Sequence, residues 1–145
     1  MDWSYVAVQR LRDYESRKEA LTNIREKMKM LEEQFTSIRS ATTDETPVQG
    51  SGNRRDDMLI ANISKREELQ VNYSLAKREV MLTEKGLSVL TDEEREILER
   101  FFINKERDHI ERLCEELFIS KTELYRRKDK ALRKFTIASY GIVEL

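Results

Sequence analysis

The chain has 145 residues, of which 38% are charged and 39% hydrophobic, and its formal net charge is −1. This length is typical of one domain, or of one small domain with a helical extension. A single Cys excludes an internal disulfide, and a single His excludes an ordinary structural zinc site. Because there are only one Pro and four Gly, we expect few turns and long helices.

No segment of the chain predicts export or membrane insertion. Charged residues are spread through Met1 to Leu21, so that stretch lacks the apolar centre of a signal peptide. No run approaches the roughly 20 apolar residues that a membrane-spanning helix needs. We therefore expect a cytoplasmic protein with no membrane partner.

The first predicted helix covers about residues 3–39, which contain neither Pro nor Gly. Its second half has an apolar seam with spacings of 3, 4, 3, 4 and 3 residues, the heptad pattern of a coiled coil. Arg10 and Arg17 fall in the same frame, so the seam is weaker at the start of the helix. The seam residues are Leu21, Ile24, Met28, Leu31, Phe35 and Ile38.

A flexible loop is predicted for residues 40–55, because this stretch contains the only Pro and two of the four Gly. It is short enough to let the chain reverse its direction. Neither Gly50 nor Gly52 is followed by the Lys-Ser/Thr pair of a phosphate-binding loop, so we expect no nucleotide site.

The second predicted helix covers about residues 56–85, and Lys85-Gly86 predicts a break after it. Two long helices joined by a loop favour an antiparallel, coiled-coil-like hairpin over residues 1–86. Such a pair leaves part of its apolar surface open, so either the C-terminal domain packs on it or a second copy of the chain does. The second alternative predicts a homo-oligomer, most simply a dimer, formed through these helices. The predicted seam contains Leu59, Ile63, Arg66, Leu69, Tyr73, Ala76, Val80, Thr83, Leu87 and Leu90.

Residues 87–145 predict a small helical domain. Thr91 is a good N-cap and Glu94 follows three residues later, which is the pattern of a capping box. We expect a polar loop from Ile103 to Asp108. The apolar face of the helix before that loop contains Ile97, Leu98, Phe101 and Phe102.

A second capping-box pattern, Ser120 with Glu123, begins a basic helix directly after the short apolar turn 117–119. Between Lys121 and Lys134, Lys and Arg exceed acidic residues by five. A short helix, a tight turn and a capped basic helix are the layout of a helix-turn-helix. The alternative is an ordinary amphipathic helix with a solvated basic face. The expected inner side contains Leu124, Ala131, Leu132 and Phe135.

The candidate DNA-binding residues lie on the outward side and flanks of this basic helix. Hydrogen-bonding side chains near a helix N-terminus suit base edges, whereas flanking cations suit phosphates. Thr122, Tyr125 and Arg126 are the candidates for base contact, and an Arg at position 126 can pair with guanine through two hydrogen bonds. The candidates for phosphate contact are Lys121, Arg127, Lys130 and Arg133.

Neither catalysis nor metal binding is predicted. Glu106 and His109 have a spacing found in di-iron bundles, but such sites need a second motif of the same kind. Cys114 lies five residues after His109, on a different side of a helix, so a buried core thiol is the simpler interpretation. We expect no enzyme activity, no cofactor and no bound metal.

Residues 90–102 and 108–135 together resemble the fourth conserved region of primary-type sigma factors, the domain that reads a promoter's upstream element. The turn position usually held by Gly in that pattern is Phe118. Either the turn differs here, or Phe118 takes a strained backbone angle and gains packing in return. The matching positions are Leu90, Thr91, Glu94, Arg95, Ile97, Leu98, Cys114, Leu117, Ile119, Ser120, Ala131, Leu132 and Lys134.

As a whole, the chain is similar to small phage and prophage regulators of the RinA/ArpU type, in which a long helical part precedes such a domain. The resemblance implies an all-α activator of phage late or packaging genes with double-stranded DNA as its partner. Host RNA polymerase is a second candidate partner, through acidic clusters such as 92–94. Two alternatives stay open: a DNA-packaging component like a small terminase subunit, and a coiled-coil scaffold without DNA binding. The matching end pattern is Ala131, Leu132, Phe135, Tyr140 and Gly141.

Overall fold

The computed structural model describes residues 2–41 and 51–143, with side chains described from residue 54 onward in the second range. Every regular element in these ranges is helical, so the all-α expectation is confirmed. The elements are α1 (Trp3–Ser40), α2 (Ser51–Ser88), α3 (Asp92–Leu98), a π-helical turn (Glu99–Ile103), α4 (His109–Leu117) and α5 (Lys121–Tyr140).

The beginning of α2 differs from the prediction. Residues 51–55 are helical, although the predicted loop extended to residue 55, and residues 42–50 of that loop lie outside the described residues. The loop was inferred from the only Pro and two of the four Gly, and one of these, Gly52, lies inside α2 with Asn53, although both residue types disfavour helix interiors. Both residues lie in the first turn of α2, where backbone N–H groups lack intrahelical partners in any helix. The free-energy cost of placing Gly52 and Asn53 in the helix is therefore small at this position.

The end of α2 also differs, because the helix passes through Gly86 and ends at Ser88. A Cβ atom at position 86 would lie 2.6 Å from ring carbons of Phe135 and 3.1 Å from the Phe135 carbonyl oxygen. Phe135 is fully buried, so its ring has little room to move. The glycine thus permits a close approach of α2 and α5, and the predicted helix break at 85–86 is wrong.

We expect Gly86→Ala to lower the free energy of unfolding. Overpacking a filled core costs about 1–3 kcal/mol, whereas the better helix propensity of alanine returns only about 1 kcal/mol. Urea unfolding followed by circular dichroism measures the difference. The double variant Gly86→Ala/Phe135→Leu should show less than the additive loss, since a smaller side chain relieves the clash. A stabilised Gly86→Ala protein would contradict the close approach.

Two compact units make up the structure, one of residues 1–17 with 78–145 and the other of residues 18–77. The predicted division into 1–86 and 87–145 therefore differs from the observed grouping. The physical reason is that Ala7 and Leu11 of α1, both fully buried, belong to the same apolar core as the C-terminal helices. That core contains Ala7, Leu11, Leu87, Leu90, Leu98, Ala131, Leu132 and Phe135.

A second core cluster in the same unit joins α3, the π-helical turn, α4 and α5. It consists of Ile97, Phe101, Leu113 and Leu124, with Ile110, Cys114, Leu117 and Ile119 packed at its edge. The cluster attaches one side of α5 to α3 and α4. As a result, the packing within this unit decides which side of α5 faces outward.

A buried cation links three helices of the first unit. Arg10 is only 7% exposed, and its Nε donates to Oε2 of Glu79 at 3.0 Å. Its Nη1 donates to the Ser139 hydroxyl at 2.6 Å, and its guanidinium carbon lies 4.0 Å from the centre of the Tyr140 ring. Arg10, which interrupts the predicted apolar seam of α1, therefore connects α1, α2 and α5 through polar contacts.

The second unit contains parts of α1 and α2 that contact each other in opposite chain directions. Arg25 donates two hydrogen bonds to the Tyr73 hydroxyl, and the Asn62 side chain donates to the Leu31 carbonyl at 2.8 Å. Asn62 is buried, whereas Ile63, which was predicted in the seam, is 40% exposed. Position 62 keeps the alternating spacing of three and four residues, and its amide is satisfied by the carbonyl.

Candidate nucleic-acid interface

The capping boxes predicted at the two helix starts have different outcomes. At α3 the box is confirmed, because the Thr91 hydroxyl accepts from the Glu94 N–H and the Glu94 carboxylate accepts from the Thr91 N–H. At α5 the Ser120 hydroxyl accepts from the Glu123 N–H at 3.2 Å, but the Glu123 carboxylate does not reach back. That carboxylate binds two guanidinium groups instead, which are charged and therefore stronger donors than a backbone N–H.

The turn between α4 and α5 contains a strained residue. Phe118 has φ 55° and ψ 45°, in the left-handed region that favours glycine, and its N–H donates to the Cys114 carbonyl. Its side chain is 94% exposed. Of the two alternatives that the sequence left open, the strained angle is observed, but without the packing that was expected to compensate for it.

We expect Phe118→Gly to raise the free energy of unfolding by about 1 kcal/mol, since the left-handed angle costs a residue with a Cβ about 1–2 kcal/mol. The gain is reduced because glycine makes the unfolded chain more flexible. Urea unfolding measures the change in the free energy of unfolding. Phe118→Ala is the matched control, because it removes the exposed ring but keeps the Cβ. Equal stabilisation by both changes would mean that ring exposure, not the backbone angle, is the source of the cost.

The inner side of α5 is as predicted: Leu124, Ala131, Leu132 and Phe135 are all buried. On the opposite side, Arg126, Lys130 and Arg133 are exposed. Their spacings of four and three residues place them within an arc of about 60° at 3.6 residues per turn. We refer to these three side chains as the basic stripe. The exposed residues Lys121 and Thr122 lie at the helix N-terminus.

Three of the candidate cations have no ion pair with the described residues: Lys121, Lys130 and Arg133. Arg126 is paired, although its side chain is 64% exposed. Its Nε and Nη2 donate to the two carboxylate oxygens of Glu123 at 2.8 and 2.7 Å. Hydrogen bonds from Arg126 and then Arg127 lower the pKa of Glu123 to about 2, so this carboxylate is charged at neutral pH.

Arg127 lies apart from the basic stripe, on the flank of α5 that faces α3. Its Nη1 donates to Glu93 at 2.5 Å and its Nε donates to Glu123 at 3.0 Å. Further along the same flank, the Lys134 ammonium lies 3.0 Å from Glu94. Acidic side chains of α3 thus neutralise this flank, and the geometry favours a structural role for Arg127 over the predicted phosphate contact.

Tyr125 is held at the edge of the second core cluster. Its ring centre lies 6.0 Å from that of Phe101 in an edge-to-face arrangement, and the Lys128 ammonium lies 5.5 Å from the Tyr125 ring. The side chain is 36% exposed, so only part of it is available to a ligand. The sequence suggested Tyr125 as a base contact without indicating this support.

Two acidic residues belong to the site but were not among the sequence-based candidates. Glu123 precedes Arg126 and Arg127 by three and four residues, a spacing at which helical side chains meet, so this signal was present in the sequence. Glu93 is 34 residues from Arg127, and no local pattern predicts their contact.

The structure also places the residues that the sequence analysis weighed for metal binding and catalysis. Residues 2–41 and 51–143 contain no group of three or more His, Cys, Asp or Glu placed to hold a metal ion. Cys114 is half-buried rather than fully buried, and His109 lies edge-on to Phe101. None of the helices in these ranges is long and apolar enough to cross a bilayer.

No protein-family model, no curated protein and no solved structure matches the chain.

Proposed function

We propose that the protein is a sequence-specific DNA-binding regulator of transcription, acting in the cytoplasm, in which α4 and α5 form a helix-turn-helix. The observation that carries this function is the basic stripe on the outward side of α5. In a helix-turn-helix, the second helix enters the major groove and its N-terminal part contacts base edges. Here that helix begins at Lys121 behind a Ser120 cap, and α4 packs against it through Leu113 and Leu124.

The charge distribution supports a groove-binding role for α5. The chain as a whole is close to neutral, whereas three exposed cations share one arc of this helix. Lys130 and Arg133 have no ion pair with the described residues, so phosphates can replace water around them without breaking a protein contact. The acidic α3 flank confines the basic surface to one side, which favours a single orientation of the duplex.

For the remainder of the chain we propose an antiparallel two-helix hairpin that forms a homodimer. The support comes from apolar side chains of α2 that stay exposed in the second unit: Ile60 at 61%, Val71 at 59% and Leu75 at 60%. They lie on one side of the helix, and a second copy of the chain would cover them. A dimer also suits DNA recognition, because two reading helices bind half-sites about one helical turn apart.

By resemblance to RinA/ArpU-type regulators, the proposed target is the control region of phage late or packaging genes. Activation would then involve host RNA polymerase as a partner.

The test is selection of bound duplexes from a random pool, followed by a salt titration on the enriched sequence. We expect one enriched sequence, a clear preference for it over random duplexes, and affinity that falls steeply with salt. Light scattering should give twice the mass of one chain. A ring-sized mass would favour a packaging component, and failure to bind any duplex at low salt would favour a scaffold.

A further inference from the structure

We infer that Glu123 is a positioning residue that presents Arg126 for hydrogen bonding to a guanine, given the DNA binding proposed above. The Glu123 carboxylate holds one edge of the Arg126 guanidinium, formed by Nε and Nη2, through two hydrogen bonds. The terminal edge, formed by Nη1 and Nη2, points away from that carboxylate, and Nη1 has no hydrogen bond with the described residues. Guanine presents O6 and N7 as a matching pair of acceptors in the major groove.

Fixing this guanidinium matters because the Arg126 side chain is largely exposed. An unsupported arginine has many rotamers, and ordering it on DNA opposes binding. No other described residue hydrogen-bonds to Arg126, so its orientation depends on Glu123. The position is suitable for base contact, because residue 126 lies in the second turn of α5.

Glu123 has a second effect, which acts on the general affinity for DNA. Its negative charge lies at the N-terminal end of the surface that approaches DNA, where it repels phosphates. This repulsion acts on selected and random duplexes alike, because their phosphates are the same. Glu123 therefore raises specificity by orienting Arg126, at the expense of general affinity.

Glu123→Gln should therefore have opposite effects on two kinds of duplex. Affinity for random duplexes is expected to rise several-fold at low salt, because a negative charge is removed. The preference for the selected duplex is expected to fall about tenfold, which lies within the discrimination that one bidentate base contact provides. Ser120 keeps its cap, since that bond uses the backbone N–H of residue 123.

Fluorescence anisotropy with the full chain tests this role of Glu123. It compares the selected duplex, a random duplex, and versions in which each guanine in turn is replaced by 7-deazaguanine, which lacks the N7 acceptor. We expect one guanine at which 7-deazaguanine weakens the wild-type protein, and a smaller effect there for Glu123→Gln. Arg126→Lys keeps the positive charge but lacks the terminal guanidinium edge that would pair with guanine, so it should lose the same preference for the selected duplex. In an Arg126→Ala background, Glu123→Gln should change the preference no further.

Glu93→Gln is the matched control, because it removes the same charge beside Arg127 but leaves the contact between Glu123 and Arg126 intact. It should tighten binding to all duplexes without changing the preference. Equal loss of preference in both variants, or an unchanged preference in Glu123→Gln, would overturn the role of Glu123 while DNA binding stands. So would a wild-type protein that binds selectively but is insensitive to 7-deazaguanine. A wild-type protein that selects no duplex would overturn the proposed function itself, and the role of Glu123 with it.

Discussion

The triple variant Lys121→Gln/Lys130→Gln/Arg133→Gln is expected to bind every duplex at least several hundred-fold more weakly near 0.1 M salt. Each phosphate contact contributes about 0.9 to the slope of log affinity against log salt, so the three contacts of one α5 amount to about 500-fold between 0.1 and 1 M salt, and a dimer bound through both helices loses more. These three cations were selected because none has an ion pair with the described residues. A salt titration by fluorescence anisotropy should show both the weaker binding and a shallower slope.

The matched control removes three exposed cations from the other compact unit, in the variant Lys27→Gln/Lys29→Gln/Lys65→Gln. Its net charge equals that of the first variant, so a general charge effect would weaken both proteins alike. We expect the control to retain most of the wild-type affinity and slope. Equal losses in the two variants would mean that α5 is not the binding surface. Both should fold normally, since exposed substitutions usually change stability by no more than about 0.5 kcal/mol each.

Replacing Arg10 by methionine is expected to lower the free energy of unfolding by about 3 kcal/mol, the low end of the range for breaking a buried ion pair. The Glu79 carboxylate would lose its closest cation, and the Ser139 hydroxyl and the Tyr140 ring would lose a contact. The low end applies because the Glu79 side chain is 33% exposed and Arg17 remains 3.6 Å away. Urea unfolding of the full chain measures the loss.

Arg17→Met is the control for this prediction. Arg17 approaches the same Glu79 carboxylate, but its own side chain is 32% exposed and its ion-pair distances to Asp13 and Glu79 are both 3.6 Å. Partly exposed ion pairs of this kind contribute less than about 1 kcal/mol. If Arg10→Met proved as mild as Arg17→Met, the buried cation would not be a major support of the first unit.

Features of the helices were predictable from the sequence where they depend on residues only a few positions apart in the chain. The Thr91 cap with Glu94 and the inner side of α5 from Leu124 to Phe135 depend on spacings of three and four residues, and the structure bears them out. Composition was less reliable at the start of α2, because Gly and Asn predict a loop even where a helix tolerates them in its first turn. At Phe118 the sigma-like pattern left two alternatives, a different turn or a strained angle with added packing; the strained angle is observed, but the side chain is exposed.

The exposure of Arg126, Lys130 and Arg133 on one side of α5 was predictable from helical spacing, but the sequence could not show which candidate cations have acidic neighbours from another helix. Arg127 and Lys130 look equivalent in the sequence. In the structure, Arg127 binds Glu93 of α3, whereas Lys130 has no ion pair with the described residues. The difference depends on which helix packs beside α5, and that contact joins residues 34 positions apart.

The sequence by itself determined the all-helical class, the cap of α3 and the inner side of the basic helix, because hydrogen bonds and side-chain contacts within a few residues govern these features. Only the tertiary structure decided that Gly86 lies inside a helix, that Arg10 is buried, and that the start of α1 packs with the C-terminal helices. Each of these depends on groups far apart in the chain: Gly86 contacts Phe135, and Arg10 contacts Ser139. No local pattern specifies such pairs, since they arise from the way in which helices share a core.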